Sequence, residues 1–572
     1  MRKSAVLRIR IITGVVLFLS VALLARLYQI QILSHQDYID KANKQYVHTV
    51  HNLYSRGSIF FTTKDGEKVS AATIQSGYLL AIDPSRIIDA SSTYEKINAI
   101  VPINREDFLA KASQRDRAYA EILPQLASDA GNSIDALGLP GVELYRNQWR
   151  YYPGDDLSAN TIGFVGYSAD TGDALTGRYG LERYYDDVLS HNDNTVSVNF
   201  FAEIFSNLGS IVFDNTKSRT GDVVTTLEPT VSRMLDAELQ KTEEQYHSKL
   251  TGGIIINPQT GEIYAMNVVP SFNLNDRTGV PITEFKNPLV ENVYEMGSIF
   301  KALTMASGLD SGAVSESTTY NDTGCLTLNE SRICNYDFRA RGVIPMQQIL
   351  SQSLNVGASF VEHTMGNATF RKYFKALKIG DETGVDLPNE AYGLINNLES
   401  PRDVEYATAS FGQGIAVTPM EMVRALSALG NGGKIIYPHI AKRIEYQDGT
   451  FKDITYPAPE HVFATSTSER ISRMLTTVVD QALGGGHVKL DHYTIAAKTG
   501  TAQIADPVHG GYYSDRYLHS FFGYFPSYDP KFLVFLYTVE PQGVQYASET
   551  LTTPFMDLAK FLINYYNLPP DR

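Results

Sequence analysis

Three short groups in the second half of this 572-residue chain have the residue types and spacings that nucleophilic catalysis uses. The first is Ser298-Ile-Phe-Lys301, preceded by Glu295-Met-Gly297. A serine hydroxyl is a poor nucleophile until a base takes its proton. A lysine three residues on along a helix shares its face and lies within reach. That lysine acts as a base only where burial or a neighbouring cation keeps it neutral. A serine in a first helical turn also sits where free backbone N–H groups favour developing negative charge, and Gly297 permits the sharp approach. Taken alone, this spacing arises by chance in most long chains.

The second group is Ser353-Leu-Asn355. In an extended or loop conformation residues two apart face one side, so both side chains can point into a cleft. Ser353 there is placed to relay a proton between Lys301 and Lys498, and Asn355 to hold a substrate amide. By itself the pair reads equally as a loop or a helix cap. The third group is Lys498-Thr-Gly-Thr-Ala502, which follows the apolar run Thr494–Ala497. Gly500 lets a ligand backbone approach a strand edge closely. Lys498 with the hydroxyls of Thr499 and Thr501 suits a carboxylate, and the N–H groups of Thr501 and Ser298 suit an oxyanion. Three such groups in this order are far more specific than any one of them.

The elements that must position these groups follow from patterning. Asp222–Thr226 reads as a strand and Pro229 to about Tyr246 as an amphipathic helix. Gly253–Asn257 and Glu262–Met266 flank Pro258-Gln-Thr-Gly261, a hairpin turn. Helical patterns occupy Ser298–Leu309, Pro345–Met365 and Pro419–Leu429, strands return at Thr494–Ala497, Ser520–Phe525 and Phe532–Val539, and a last helix fits Pro554–Tyr566. Sheet pieces at both ends of a helical middle predict an α+β domain over 221–572, whose first and last strands share one central antiparallel sheet flanked by helices. Upstream, 34–220 reads as an elongated β-rich pedestal, with strands at Ser58–Phe61 and Tyr78–Ile82 and a polar helical insertion near 87–137. His509 and His519 flank a loop after the third group and read as exposed loop residues.

The amino terminus places the whole. Arg2, Lys3, Arg8 and Arg10 precede a largely apolar stretch from Ile11 to Leu33 in which Arg26 is the one charged residue. As a helix this stretch covers roughly 34 Å, enough to span a bilayer. The positive residues 1–10 predict a cytoplasmic tail, and everything after the anchor lies outside the cytoplasm. A cleaved signal peptide is the competing reading, but no A-x-A site follows the core. The net charge of −14 excludes nucleic acid as the main partner. Cys325 and Cys334 are the sole cysteines, open to a small disulfide loop or to two free thiols. With the nearby histidines they complete no zinc pattern, so neither metal nor cofactor is expected.

S-x-x-K, S-x-N and K-T-G in this order resemble the motif set of penicillin-binding proteins, in which Leu354 is an allowed middle residue. More of the chain resembles the class B, monofunctional members of that family. Arg56-Gly-Ser-Ile59 with Asp65-Gly66 is similar to the opening of their pedestal, and Gly177-Arg-Tyr-Gly-Leu-Glu182 to its later G-x-x-G-L-E segment. Gly384-Val-Asp-Leu-Pro388, Phe411-Gly-Gln-Gly414 with Thr418-Pro419, and Asn431-Gly-Gly433 fit between the second and third motifs. Met296 departs from the family's usual proline, which predicts a looser approach to the nucleophile helix.

The resemblance implies a peptidoglycan D,D-transpeptidase. Ser298 attacks a D-Ala-D-Ala stem peptide, Lys301 is the acylation base, and β-lactams acylate the same serine. It also implies a multi-span glycan polymerase as membrane partner and a division role rather than an elongation role. Two rivals stand beside it: a carboxypeptidase or β-lactamase using the same site, and a non-enzymatic β-lactam sensor or scaffold.

Overall fold

The computed structural model describes residues 56–167, 175–190 and 220–572. The tail, the anchor expected at 11–33 and the stalk after it lie outside the described residues. Among the described residues no helix is long and apolar enough to cross a membrane. The chain forms two compact units, one containing 74–149 and the other made of 55–73 with 150–572.

Strands β1 (Ile59–Thr62) and β2 (Lys68–Ile82) form an antiparallel pair, and the distal half of β2 continues into the smaller unit. There helices α1 (Ala90–Asn98) and α2 (Arg105–Ala112) are followed by strand β3 (Ala120–Ala127), helix α3 (Ser128–Asp135) and strand β4 (Val142–Tyr151). Both β3 and β4 pair with β2. Asp89 and Asn104 cap the two helices by accepting from Ser92 and Asp107 N–H. Leu80, Ile82, Ile97, Phe108, Leu126 and Ile134 close a core of their own. The insertion near 87–137 is therefore not purely helical: β3 lies within it, because its alternating apolar residues have β2 to pair with.

In the larger unit, strand β5 (Gly221–Thr225) runs parallel to β1, and helix α4 (Pro229–Tyr246) follows it. Strands β6 (Leu250–Ile256) and β7 (Ile263–Val269) form the expected hairpin. The apolar middle supplies helix α5 (Phe300–Asp310), the small hairpin β8 (Cys325–Leu328) and β9 (Ser331–Cys334), and helices α6 (Met346–Ser351) and α7 (Asn355–Met365). Helices α8 (Pro419–Gly430) and α9 (Thr465–Thr477) bracket strand β10 (Ala441–Tyr446), which pairs with β5. Strands β11 (Ala496–Ala505), β12 (Tyr512–Phe525) and β13 (Phe532–Val539) precede the short helix α10 (Ala547–Thr550) and helix α11 (Thr552–Tyr565).

The central sheet has the order β11-β12-β13-β6-β7 and every pairing is antiparallel. The hairpin and the last strands share it, because β13 joins β6 from Leu533↔Ile256 to Val539↔Leu250, but the first strand expected there, β5, lies instead in a second sheet between β1 and β10. One face packs on the helical middle, with Phe300, Leu303, Phe522 and Phe535 in one cluster; the other packs on α4 and α11 through Leu235, Phe521, Phe555 and Leu562. Strand β11 is therefore an edge strand, open on one side to a ligand.

The expected single helix over 345–365 is two. Ser353 adopts φ +56° between α6 and α7, a left-handed turn that a continuous helix cannot contain. Arg56 and Glu182, from two separate motifs, meet in a buried network. Arg56 Nη2 lies 2.6 Å from Glu182 Oε2, and Arg150 Nε lies 2.6 Å from Oε1. Burial alone would push the Glu182 carboxyl up, but the Arg150 and Arg56 guanidiniums overcome it and hold the group below the ordinary carboxylate range.

Candidate active site

Ser298 sits in a single 3-10 turn, Gly297–Ile299, that leads straight into α5. The turn is reached through Gly297, whose φ is +63°. A Cβ at position 297 would stand 2.8 Å from the Thr501 carbonyl oxygen, so only glycine allows this turn to lie against β11. Gly500 is constrained from the strand side: a Cβ there would stand 2.7 Å from Met296 O and 2.3 Å from Ser520 Oγ. The Ser520 hydroxyl donates to Met296 O at 2.8 Å. Met296 is fully buried. Its side-chain packing and this carbonyl bond hold the approach to Ser298 where a proline's fixed φ is missing.

Lys301 projects from the first turn of α5 and is 1% exposed. Its Nζ donates to Ser353 O at 2.6 Å and to Ser353 Oγ at 3.3 Å. Lys498, 2% exposed on β11, donates from Nζ to the same Ser353 Oγ at 3.0 Å and to Thr499 O at 2.9 Å. The left-handed turn at Ser353 is what presents both its carbonyl and its hydroxyl to Lys301; such a conformation in a non-glycine residue is typical of functional positions. Of the extended and loop conformations that its spacing allowed, the second group takes the loop: a turn followed by the first residue of α7.

Asn355, at that first position, donates from Nδ2 to Cys334 O at 2.9 Å. Cys334 faces Cys325 across the β8–β9 hairpin and the two form a disulfide, which decides between the readings left open by the sequence. Asn335, just beyond, accepts from Val356 N–H at 3.1 Å and donates to both oxygens of Asp322. The hairpin and the second group are thus tied together at two points.

Electrostatics separates the two lysines. Burial, then the charge of Lys498, pushes Lys301 well below the ordinary lysine range. Burial alone lowers Lys498, to about 7. Lys301, whose proton is held more weakly than an ordinary lysine's, is fit to accept one; Lys498, at about 7, can remain a cation near neutral pH. Thr499 and Thr501 are half-buried and, two apart on β11, share a face.

His519 is not an exposed loop residue. It lies within β12 opposite Thr501 and is fully buried. The apolar run that marks a strand in the sequence begins only at Ser520, whereas β12 starts at Tyr512 and passes through polar residues first. Hydropathy along the chain therefore gives no sign that His519 is in the sheet. His509, by contrast, is on the exposed turn at the tip of the β11–β12 hairpin, as expected.

Two buried lysines bridged through the Ser353 hydroxyl, one of them three residues after Ser298 on the same helical entry, make an acyl-transfer arrangement. Comparison with known proteins agrees with it. Residues 251–559, just over half the chain, match the penicillin-binding protein transpeptidase domain. The chain belongs to the penicillin-binding protein transpeptidase family. Residues 53–226 match the penicillin-binding protein dimerisation domain, so this penicillin-binding protein is of the class B type.

Among curated relatives it is 29% identical over 503 residues to Stage V sporulation protein D of Bacillus subtilis, covering 86% of this chain and 76% of that protein. It is 24% identical over 576 residues to peptidoglycan D,D-transpeptidase FtsI of Escherichia coli, covering 99% and 92%. Among solved structures, penicillin-binding protein 2X of Streptococcus thermophilus matches with a TM-score of 0.70 at 19% identity over 90% of this chain and 80% of that one. Penicillin-binding protein 3 of Mycobacterium tuberculosis, complexed with aztreonam, matches at 0.68 and 21% identity over 91% and 97%.

Proposed function

We infer that this penicillin-binding protein is a serine-type peptidoglycan D,D-transpeptidase that crosslinks stem peptides and is acylated by β-lactams. The observation that carries the reading is the Ser353 hydroxyl, within 3.3 Å of Lys301 Nζ and 3.0 Å of Lys498 Nζ, with Ser298 three residues before Lys301 on the turn that opens α5. Relatives named as D,D-transpeptidases and a structural neighbour solved with aztreonam point the same way.

In the first half-reaction Ser298 Oγ attacks the carbonyl of the penultimate D-alanine and its proton passes to neutral Lys301. The C–Oγ bond forms and the C–N bond to the terminal D-alanine breaks. The proton moves from Lys301 through Ser353 to the leaving amine, which departs as D-alanine. In the second, the amine of a neighbouring stem peptide attacks the acyl carbonyl, the C–Oγ bond breaks and Ser298 recovers a proton along the same path. Lys498, Thr499 and Thr501 hold the substrate's terminal carboxylate, Asn355 its peptide amide, and the N–H groups of Ser298 and Thr501 the oxyanion, with Gly500 leaving room at the strand edge.

The anchor over 11–33 puts this site outside the cytoplasm, where peptidoglycan is. A division complex with a multi-span glycan polymerase is the setting that the resemblance implies.

Mass spectrometry of the penicillin-treated protein tests the reading. A single adduct on Ser298, lost in Ser298→Ala, is expected; an adduct that survives that substitution overturns the nucleophile assignment. Product analysis with and without an acceptor amine separates transpeptidation from hydrolysis.

A further inference from the structure

Thr501 belongs to the carboxylate-binding group of the proposed site, and its oxygen is already engaged. The N–H of Ala547 donates to Thr501 Oγ1 at 3.0 Å. A hydroxyl that accepts from a fixed backbone N–H has its own proton directed elsewhere. Ala547 opens α10, and this helix of four residues is too short to hold its place unaided.

A capping box between Tyr546 and Glu549 and a Tyr246 hydroxyl on Glu549 O support it, and His519 holds it from the sheet. His519 and Thr501 are directly paired across β11 and β12, so their side chains leave the same face of the sheet. His519 Nε2 lies 3.0 Å from Gln545 O, and Nδ1 lies 2.9 Å from Thr550 Oγ1. A carbonyl only accepts, so the ring proton is on Nε2, and Nδ1 accepts from the Thr550 hydroxyl. The other acceptor facing that hydroxyl, Ala547 O, is farther at 3.3 Å. The two ring nitrogens therefore grip residues 545 and 550, with Ala547 between them. Burial lowers the imidazole to about 4, which keeps the ring neutral at neutral pH.

We propose that His519 is a positioning residue for carboxylate recognition: by clamping Gln545 and Thr550 it holds the Ala547 N–H on Thr501 Oγ1, and this directs the Thr501 hydroxyl proton to the carboxylate of the acyl donor. The proposal rests on the transpeptidase reading of the site, but it concerns a residue outside the three motifs.

The test compares second-order acylation of Ser298 by benzylpenicillin and by its methyl ester, which lacks the carboxylate charge. The variants are Thr501→Val, His519→Phe, Thr550→Val and the double variant His519→Phe/Thr501→Val. Thr501→Val is expected to slow the free acid about tenfold relative to the ester, the loss of one hydrogen bond to a charged group. His519→Phe and Thr550→Val are expected to narrow the acid-to-ester ratio in the same direction, and the double variant to narrow it no further than Thr501→Val alone. Should His519→Phe fail to fold, Thr550→Val, which removes only the Nδ1 partner, carries the comparison.

An unchanged ratio in Thr501→Val, with Ser298 still acylated, overturns the carboxylate role of Thr501 and the proposal with it, whereas failure of the parent protein to acylate Ser298 overturns the reading of the site. A ratio that falls in Thr501→Val but not in the folded His519 or Thr550 variants overturns the positioning role alone. So do effects that multiply in the double variant.

Discussion

In the proposed site the two lysines differ because Lys301 faces a second cation. Burial and the charge of Lys498 both lower Lys301, while burial alone lowers Lys498, to about 7. Acylation at low ligand concentration reports the free protein, so its rate should rise as Lys301 loses its proton and fall as pH climbs through about 7, where Lys498 loses its own. Lys498→Arg keeps the cation at every pH and should remove the alkaline fall; a limb unchanged in that variant would assign it to another group.

Gly297 makes a second prediction at this scale. Gly297→Ala places a Cβ 2.8 Å from Thr501 O and needs a left-handed backbone. The conformation costs about 1–2 kcal/mol, and a shift of Ser298 by about 1 Å is expected to slow acylation roughly 100-fold. A rate within a few-fold of the parent would show that the turn tolerates the displacement.

At the scale of elements, the chain's sequence-distant motifs are joined by charge. Arg56 and Arg150 close on Glu182, whose Oε1 also accepts from Tyr152 OH at 3.3 Å. All three charged side chains are buried, and without the Glu182 carboxylate the Arg150 guanidinium would keep, among the described residues, only the Gly57 carbonyl, and Arg56 only Asp186 and the Glu182 carbonyl. Glu182→Ala should lower stability by about 3–5 kcal/mol, read as a shifted denaturant midpoint. The replacement of all three by apolar residues should cost less than this single change.

A similar joint is made at Asp386, whose oxygens accept from Ile440 N–H at 2.7 Å, Ala441 N–H at 2.6 Å and Tyr185 OH at 3.0 Å. It brings the Gly384-Val-Asp-Leu-Pro388 segment to β10 and to Tyr185, which follows the Glu182 motif. Periodicity placed most of these elements correctly, because each helix or strand has one apolar face to read. It could not place the break at Ser353: Leu350, Leu354 and Val361 keep a helical apolar rhythm across it, and the left-handed turn is fixed by contacts with Lys301 and Lys498.

Over the whole molecule, two buried carboxyls set a pH dependence of stability. Burial raises Glu362 and Glu421 from 4.5 to about 8, and one oxygen of each, among the described residues, has no hydrogen-bond partner. A folded value above the unfolded one means that the proton is held more tightly in the native state. The resulting stability is complete below about 4.5 and is lost as pH rises through about 8. Glu362→Gln should therefore raise the melting temperature at pH 8 and leave it nearly unchanged at pH 4. An equal effect at both would assign the change to packing.

The sequence by itself determined the chemistry and the α+β architecture. Ser298, Lys301 and Lys498 stand at spacings that carry a catalytic meaning, and alternation and helical periodicity are local properties that a chain displays without folding. Only the tertiary structure decided which groups meet. The Ser353 turn between two lysines and the burial of His519 against the 545–550 segment each depend on residues brought together from separate stretches. Burial and pairing at a distance are set by the packing of whole elements, and no window along the chain contains both partners.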